Sequence, residues 1–276
     1  MQALPQTMTD QVQNGAFQIA VCVINLARRP ERLAHIAKQL NAMGVDWRLF
    51  PAHDMLTVDR KMLANKVSAH DHVRTMGLGS QCCALTNLDI FSWMVAEDVP
   101  AALVVQDDAE LSPDIKSFLA TLDWLPDDAH IVQFEKSGRH SSTRLLGPAI
   151  GQMPVSGRRL HRLFSRTGGA ACYLITRAGA AAILAQDTTV KMPIDHLLFS
   201  PNLSPVFGDL GVCIVNPGLA RQMDDTFESD LTGERAQRRK NPAEKLRRLW
   251  QDINRVPQQL VAMARGARWL PFDYMK

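Results

Sequence analysis

Continuous apolar runs along the chain predict buried β-strands at Phe17–Ile24, Ala101–Val105, His130–Phe134 and Gly211–Val215. An unbroken apolar run, rather than an alternating one, is typical of a strand that is covered on both faces. Shorter strands are predicted at Trp47–Phe50 and within Arg166–Ile175. Residues 138–162 are rich in Gly, Pro, Ser and Arg and predict a loop.

Segments in which apolar residues recur at helical spacing lie between these strands. Between the first two, Leu33, Ile36 and Leu40 recur with a helical period, Pro30 suits a first turn, and Gly44 suits a helix end. Further helices are predicted over 81–96, 113–122 and 178–184. The alternation of strands and helices predicts an α/β fold with a mostly parallel sheet flanked by helices.

Charge divides the chain unevenly. From Leu231 to Lys276 there are 11 Lys and Arg against 4 Asp and Glu, which gives +7, whereas the whole chain is +3 and the rest is therefore −4. We therefore predict a flexible N-terminus over 1–16, one α/β domain over 17–230 and a basic helical C-terminal segment over 231–276.

The C-terminal segment has a basic amphipathic pattern over residues 243–264, interrupted by Pro257. Two interpretations remain open: the helix contacts an anionic membrane from the side, or it packs on the domain with a solvated basic face. Nucleic acid is not predicted as a partner, because neither interleaved aromatic residues nor a known binding module is present.

Cysteine usage and the N-terminus predict the compartment. The five cysteines are odd in number and form no CxxC pair, which favours free thiols in a reducing compartment. Residues 1–18 lack a basic start and an apolar core, so a secretory signal is not predicted. We expect a cytoplasmic protein, at most in peripheral contact with the inner face of the plasma membrane.

Three carboxylates follow the predicted strand at Ala101–Val105: Asp107, Asp108 and Glu110. Ligands of α/β proteins bind beyond the carboxyl ends of the strands, and a divalent cation relieves the repulsion between clustered carboxylates. This pattern predicts an Mn²⁺ or Mg²⁺ site. The alternative is that the carboxylates cap the helix predicted near residue 113.

Other candidate residues are weaker when taken alone. Arg28, Arg29 and Arg32 follow the first strand and suit phosphate oxygens, or else form a solvated helix face. Gly168 and Gly169 allow close approach of a ligand to the backbone, or simply form a tight turn. Asp195 is a candidate general base, or a metal or sugar ligand, or else a helix cap.

Several ordered motifs resemble glycosyltransferase family 25, the lipopolysaccharide and lipooligosaccharide transferases. They are Val23–Leu33, Phe50–Ala52, Gly79–Leu88, Pro100–Leu111, Gly168–Arg177, Pro193–Asp195, Asn216–Gln222 and Gln237–Pro242. The resemblance covers roughly residues 18–245. It implies a GT-A-like, Rossmann-related fold, a UDP-sugar donor (galactose most often, or glucose) and a lipid-linked glycan acceptor.

The resemblance also implies roles for individual residues. Asn25, Arg29 and Arg32 would lie near the nucleotide, Gly168 and Gly169 would line the sugar pocket, and Asp195 would be the base or a ligand. Asp108 would be the principal metal carboxylate, with Asp107 beside it. The implied reaction is a single inverting displacement.

Three positions depart from the family pattern. Gln106 stands where the family has Glu, Ser80 where it has Glu, and Asn87 where it has His. A neutral amide is a weaker Mn²⁺ ligand than a carboxylate, and Glu110 is our candidate for the missing charge. The departures motivate a second hypothesis, a catalytically degenerate binding or scaffold protein. A phosphohydrolase is the least favoured hypothesis, because no nucleophilic Asp with its usual partners appears early in the chain.

Overall fold

The computed structural model describes residues 19–69, 76–138, 141–186, 189–223 and 250–276. The predictions for the N-terminus over 1–16 and for the first part of the basic segment, 231–249, lie outside these ranges. The described elements are β1 Ala20–Asn25, α1 Pro30–Ala42, β2 Arg48–Pro51, α2 Arg60–Lys66, α3 Leu78–Ala96, β3 Ala101–Gln106, β4 Ala109–Leu111, α4 Ile115–Leu119, β5 Ile131–Gln133, β6 Glu135–Lys136, β7 Ser142–Ile150, β8 Arg159–Leu163, β9 Cys172–Thr176, α5 Arg177–Leu184, α6 Ile194–Phe199, β10 Cys213–Asn216, β11 Ala220–Gln222, α7 Val256–Ala264 and β12 Arg268–Phe272.

The β1–α1–β2 unit forms as its sequence predicts. Pro30 occupies the first turn of α1, where its missing N–H has no partner to lose. Ile36 and Leu40 lie on the buried face of the helix, and Gly44 follows its end with φ +63°. Strand β1 then pairs in parallel with both β2 and β3.

Nine strands of the described chain form one sheet in the order β12-β7-β8-β10-β5-β9-β3-β1-β2. Six of them run in one direction, whereas β9, β8 and β12 run in the other. The α/β class is therefore confirmed, with a sheet that is mixed and not purely parallel. A small second sheet has the order β4-β11-β6.

Both faces of the large sheet are buried. Alternate residues of β1 point to opposite sides, so that Cys22 belongs to a core with α3 and Val23 to a core with α1. The first core contains Phe91 and Tyr173, and the second contains Phe118. This double coverage explains why the strands are apolar without alternation.

The prediction of a loop over residues 138–162 is wrong for most of that range. Strands β7 and β8 pair in an antiparallel manner within it. The pairing shifts register between Leu146 and Ala149, around Pro148, which has no N–H to donate. Neither strand buries alternate residues, so the sequence carries no alternating pattern that would mark it as a strand.

The prediction of a wholly helical C-terminal segment also needs correction. Helix α7 is present, but β12 follows it and forms the edge of the large sheet by pairing with β7. The buried guanidinium of Arg158 donates to the carbonyl oxygens of Gly218 and Met275, at 2.7 Å each. The C-terminus is therefore part of the folded domain.

No helix among the described residues is long and apolar enough to span a bilayer. All five cysteines are free thiols, as their number and spacing predict. Burial raises the pKa of Cys22 to about 12 and that of Cys213 to about 11, so these two thiols stay protonated and pack as small apolar groups.

A buried hydrogen bond joins helix α3 to strand β9. Asn87 is fully buried; its amide donates to the carbonyl of Cys83 at 2.8 Å, and its oxygen accepts from the Tyr173 hydroxyl at 2.5 Å. The hydrogen bond between Asn87 and Tyr173 is buried in the core. A polar atom left without a partner there is costly.

We expect Tyr173→Phe to lower the free energy of unfolding by about 1–3 kcal/mol, because it leaves Asn87 Oδ1 buried without a donor. Tyr274→Phe is the matched control, since the Tyr274 hydroxyl is buried and has no hydrogen-bond partner among the described residues. Urea unfolding of both variants measures the difference. Equal losses in the two variants would contradict the assigned role of the Asn87 contact.

Candidate active site

The carboxyl ends of β1, β3 and β5 meet at one edge of the large sheet, and β9, which runs the other way, begins there. This edge carries Asn25, the 106–108 segment, Glu135 and the 168–169 turn. The backbone N–H of Gln106 donates to the backbone carbonyl of Ala171 at 2.8 Å. This bond holds the end of β3 beside the segment that follows the glycine turn. Ligands of open α/β sheets bind at such an edge.

Asn25, Arg32 and Asp107 form a buried polar group at the ends of β1 and β3. Asn25 Nδ2 donates to Asp107 Oδ2 at 2.7 Å and to the carbonyl of Arg29 at 2.9 Å. A guanidinium nitrogen of Arg32 lies 3.7 Å from Asp107 Oδ1. Burial raises the pKa of Asp107, while Asn25 and Arg32 oppose that rise. Asp107 therefore fixes the loop that carries Arg29.

Arg29 lies at the open side of this group. Its side chain is one-third exposed, and one guanidinium nitrogen is 3.8 Å from Glu31. Because the Arg32 side chain is 7% exposed and lies near Asp107, whereas a third of the Arg29 side chain is exposed, Arg29 is the better placed of the two to contact a bound anion. The nucleotide roles of Asn25, Arg29 and Arg32 stay predictions.

Glu110 does not join the two aspartates. It lies in β4 opposite Arg221 of β11, and its carboxylate contacts the Arg221 guanidinium at 2.7 Å and Lys276 Nζ at 2.9 Å. Burial alone would raise its pKa, but the hydrogen bonds and charges of Lys276 and Arg221 outweigh burial and lower it. Glu110 is thus already engaged by two cations, and our expectation that it replaces the charge missing at Gln106 stays a prediction.

Asp108 directly follows Asp107 and is buried at the same edge. Its carbonyl accepts from the amide of Met223 at 2.9 Å, which ties β3 to the end of β11. Across the described ranges, no three His, Cys, Asp or Glu side chains are grouped so that they could hold a metal ion. The three-carboxylate site is thus not assembled, and the metal roles of Asp107 and Asp108 stay predictions.

Gln106 and Asn87, which depart from the family pattern, contact neighbours within the fold. Gln106 contacts Cys83 Sγ at 3.9 Å and accepts a long hydrogen bond of 3.4 Å from Gln222. Asn87 binds Tyr173, as described above. Ser80 is buried in the first turn of α3.

Glu135 and the glycine turn fit into one another. Glu135 is fully buried as the first residue of β6, just beyond β5, and its carboxylate accepts from the backbone N–H of Ala171 at 2.5 Å. Gly169 has φ +87°, and a Cβ at this position would overlap the Glu135 carboxylate. Gln133 Nε2 donates to the carbonyls of Gly168 and Gly169 at 3.0 Å each. A glycine is therefore required at position 169 for both conformation and space.

Asp195 lies in the first turn of α6 and faces the same turn. A Cβ placed on Gly168 would be 3.8 Å from Asp195 Oδ2 and 4.0 Å from Ser137 Oγ. The Asp195 side chain is 29% exposed, and His196 Nε2 is 4.0 Å from its Oδ2. Asp195 is thus a solvent-accessible carboxylate beside the glycine turn, whereas Glu135 is buried beneath it.

The edge has an adjoining cavity. A cavity of about 520 Å³ lies between the loops after β1 and β2 and is lined by Arg28, His53 and Asp54, among others. Arg28 Nε donates to Asp54 there at 2.7 Å. A larger cavity of about 670 Å³ lies at the opposite edge, next to Pro100 and His130, where the parallel strands begin. The smaller cavity is the candidate, because ligands bind at carboxyl ends.

Glu135 and Gln133 are site residues that the sequence motifs did not single out. The place of Glu135 directly after the predicted strand His130–Phe134 does put it at the carboxyl edge, as for the 106–110 group, but assigns it no role. Its partner Gly169 lies 34 positions further along the chain, so the contact itself has no local sequence pattern.

Together these features define an enzyme site with an accessible carboxylate, a glycine turn and nearby arginines. Residues 18–198, about two-thirds of the chain, match the family described as Glycosyltransferase family 25 (LPS biosynthesis protein). The chain belongs to glycosyltransferase family 25. It is therefore a glycosyltransferase, which transfers a sugar from a donor to an acceptor.

Individual relatives agree with this assignment. The lipooligosaccharide biosynthesis protein lic2B of Haemophilus influenzae is 27% identical over 227 residues, which cover 77% of this chain and 82% of that protein. The lacto-N-neotetraose biosynthesis glycosyltransferase LgtB of Neisseria gonorrhoeae is 29% identical over 212 residues, covering 72% and 73%.

Among solved structures, a glycosyltransferase involved in the glycosylation of the major capsid of PBCV-1 aligns with a TM-score of 0.33 and 8% identity. The alignment covers 76% of this chain and 94% of that one.

We expect Gly169→Ala to reduce transferase activity at least about tenfold and to destabilise the fold by a few kcal/mol, because the new methyl group displaces Glu135. Gly138→Ala is the control. Gly138 also has a positive φ, of +75°, but a Cβ there meets nothing within 4 Å, so this variant carries only the backbone cost of about 1 kcal/mol. Equal losses of activity would show that backbone strain alone is responsible.

Proposed function

We propose that this chain transfers a hexose, galactose in the first place, from a UDP-sugar to a lipid-linked acceptor of the lipooligosaccharide or lipopolysaccharide type, with inversion and on a GT-A-like fold. The names of the relatives support the acceptor class, since lic2B is a lipooligosaccharide biosynthesis protein and LgtB is named for lacto-N-neotetraose biosynthesis. The observation that carries the chemistry is the accessible Asp195 carboxylate beside Gly168.

The donor would occupy the edge formed by β1, β2 and β3. Its nucleoside would enter the 520 Å³ cavity beside Arg28 and His53, and its diphosphate would lie near Arg29, because a guanidinium group matches phosphate oxygens. The hexose would then rest on the backbone of Gly168 and Gly169. Because neither glycine has a side chain, the sugar ring could approach the backbone closely.

Asp195 is our candidate for the general base. It would accept the proton of the acceptor hydroxyl while that oxygen forms a bond to the anomeric carbon and the bond from this carbon to the diphosphate oxygen breaks. A single displacement of this kind inverts the anomeric configuration. Glu135 is unsuited to the role, because it is fully buried and already accepts from Ala171.

The proposal keeps a divalent cation, Mn²⁺ or Mg²⁺, but with two protein carboxylates in place of three. Such ions are commonly held by one or two carboxylates together with substrate phosphates. Asp108, with Asp107 beside it, fits a site shared with the donor diphosphate, whereas a site built from three protein carboxylates does not fit. When bound, the ion would offset negative charge on the diphosphate.

The free thiols of the five cysteines fit a reducing compartment. They support a reaction in the cytoplasm, and its place at the plasma membrane follows from the proposed lipid-linked acceptor.

The first test is a panel of nucleotide sugars with a lipooligosaccharide acceptor, monitored by released UDP and by the glycan product. We expect UDP-galactose to be used first. Asp195→Asn should lower kcat by about a hundredfold or more while donor binding is retained, because the base is lost. The control is Asp209→Asn at an exposed aspartate. Full activity of Asp195→Asn would exclude this base, and no turnover with any donor would contradict the proposed reaction.

The second test concerns the metal. We expect Mn²⁺ to bind measurably in calorimetry only when UDP is present, and Asp108→Asn to weaken that binding about tenfold or more. Glu110→Gln is the matched control, and it should leave binding unchanged because Glu110 contacts Arg221 and Lys276. Tight Mn²⁺ binding without UDP, lost in Glu110→Gln, would instead indicate the three-carboxylate site.

A further inference from the structure

Exposed apolar side chains are concentrated at the C-terminal end of the domain. Thirteen large hydrophobic residues are exposed in the described parts of the chain, and eight of them lie between residues 250 and 276. That segment is about a tenth of the sequence. Single exposed apolar residues are ordinary, but a concentration of them marks an interaction surface.

Helix α7 directs its apolar face toward solvent. Val256, Leu260 and Met263 recur at positions i, i+4 and i+7, which lie on one face of a helix, and they are 45%, 59% and 36% exposed. On the opposite face, Ala262 is buried in a small cluster with Leu145. A helix on a water-soluble surface normally has the reverse arrangement, with its apolar face in the core.

Exposed aromatic and cationic residues occur in the same C-terminal segment. Trp250 is 66% exposed and Trp269 is 49% exposed. An indole ring suits the boundary between lipid and water, because one part of it is apolar and its N–H is polar. Arg265 and Arg268 are also exposed, and residues 231–276 carry +7 in sequence.

The charge decides between two occupants of this surface. A second copy of the chain would bring two positively charged segments together at a symmetric interface, which costs electrostatic energy. An anionic lipid surface attracts the same charge, and its acyl region accepts the apolar side chains. Apolar and basic residues on one segment therefore complement an anionic bilayer.

The same segment ends beside the carboxylate segment 107–110. After Trp269 the chain continues through β12 to Lys276, whose ammonium group binds Glu110, two positions beyond Asp108. Seven residues span at most about 25 Å, so Trp269 and the Cα of Lys276 are no further apart than that. A bilayer in contact with Trp269 would therefore lie within about 25 Å of Lys276, which is bound next to the 107–110 segment.

We infer that a C-terminal apolar surface, formed by Trp250, Val256, Leu260, Val261, Met263 and Trp269, rests on an anionic lipid bilayer and holds the active-site edge toward it. The inference depends on the proposed function at one point, which is that the acceptor is anchored in lipid. The surface itself follows from exposure, helical spacing and charge.

The test is co-sedimentation of the full chain with vesicles, without any sugar substrate. We expect the wild type to sediment with vesicles of equal parts phosphatidylcholine and phosphatidylglycerol and much less with phosphatidylcholine alone. The double variant Leu260→Ser/Val261→Ser should bind about tenfold less or weaker still, because both exposed side chains lose their apolar contact. Val95→Ser in α3, at an equally solvent-facing valine that is 41% exposed, should bind as the wild type does.

Arg265→Glu provides a second variant that leaves the apolar face of α7 intact. It should weaken binding to the anionic vesicles at low salt and have little effect at high salt, since surface electrostatics are screened. Circular dichroism checks that each variant folds.

Failure of the wild type to bind anionic vesicles would overturn the inference, as would equal binding by the wild type, the double variant and Arg265→Glu. Sedimentation velocity tests whether a second copy of the chain occupies the surface instead. If the wild type is a dimer that does not bind vesicles, and Leu260→Ser/Val261→Ser converts it to a monomer, the surface is an interface between copies. Transfer from the nucleotide-sugar panel to the lipooligosaccharide acceptor is measured in parallel for the wild type. Absence of transfer with every donor, while vesicle binding is retained, would contradict the proposed function and leave the docking surface standing.

Discussion

Buried carboxylates at the carboxyl edge of the sheet must each be compensated, and this constraint organises the site. Burying a charge without partners is costly, so each acid recruits donors from elsewhere in the chain. Asp107 is bound by Asn25 and lies near Arg32, Glu135 accepts from Ala171, and Glu110 binds Arg221 and Lys276. These contacts join the ends of strands that are distant in sequence, and they leave Asp195 as the accessible carboxylate beside the glycine turn.

The mixed direction of the sheet brings the glycine turn to the same edge. Strand β9 lies between β3 and β5 and runs against both, so it begins where they end. In a wholly parallel sheet the segment before β9 would lie at the far edge, away from Asp107 and Glu135. The direction of β9 therefore places Gly168 and Gly169 next to the carboxylates.

The C-terminal segment connects the site with the outer surface. Strand β12 extends the sheet, Arg158 binds the carbonyl of Met275, and Lys276 reaches Glu110. The same segment exposes Trp250, Leu260 and Trp269. The residues that hold the β4 edge in place and the residues that face outward thus belong to one continuous stretch of chain.

Local patterns in the sequence determined the α/β class, the β1–α1–β2 unit and the family, because apolar runs, helical spacing and ordered motifs are read from neighbouring residues. They also placed Asn25, Asp107 and Asp108 at strand ends. Only the tertiary structure decided that Glu110 binds Arg221 and Lys276, that Glu135 fills the space beside Gly169, and that residues 142–163 form two strands. Each of these depends on partners far apart in sequence, and such contacts exist only once the chain has folded.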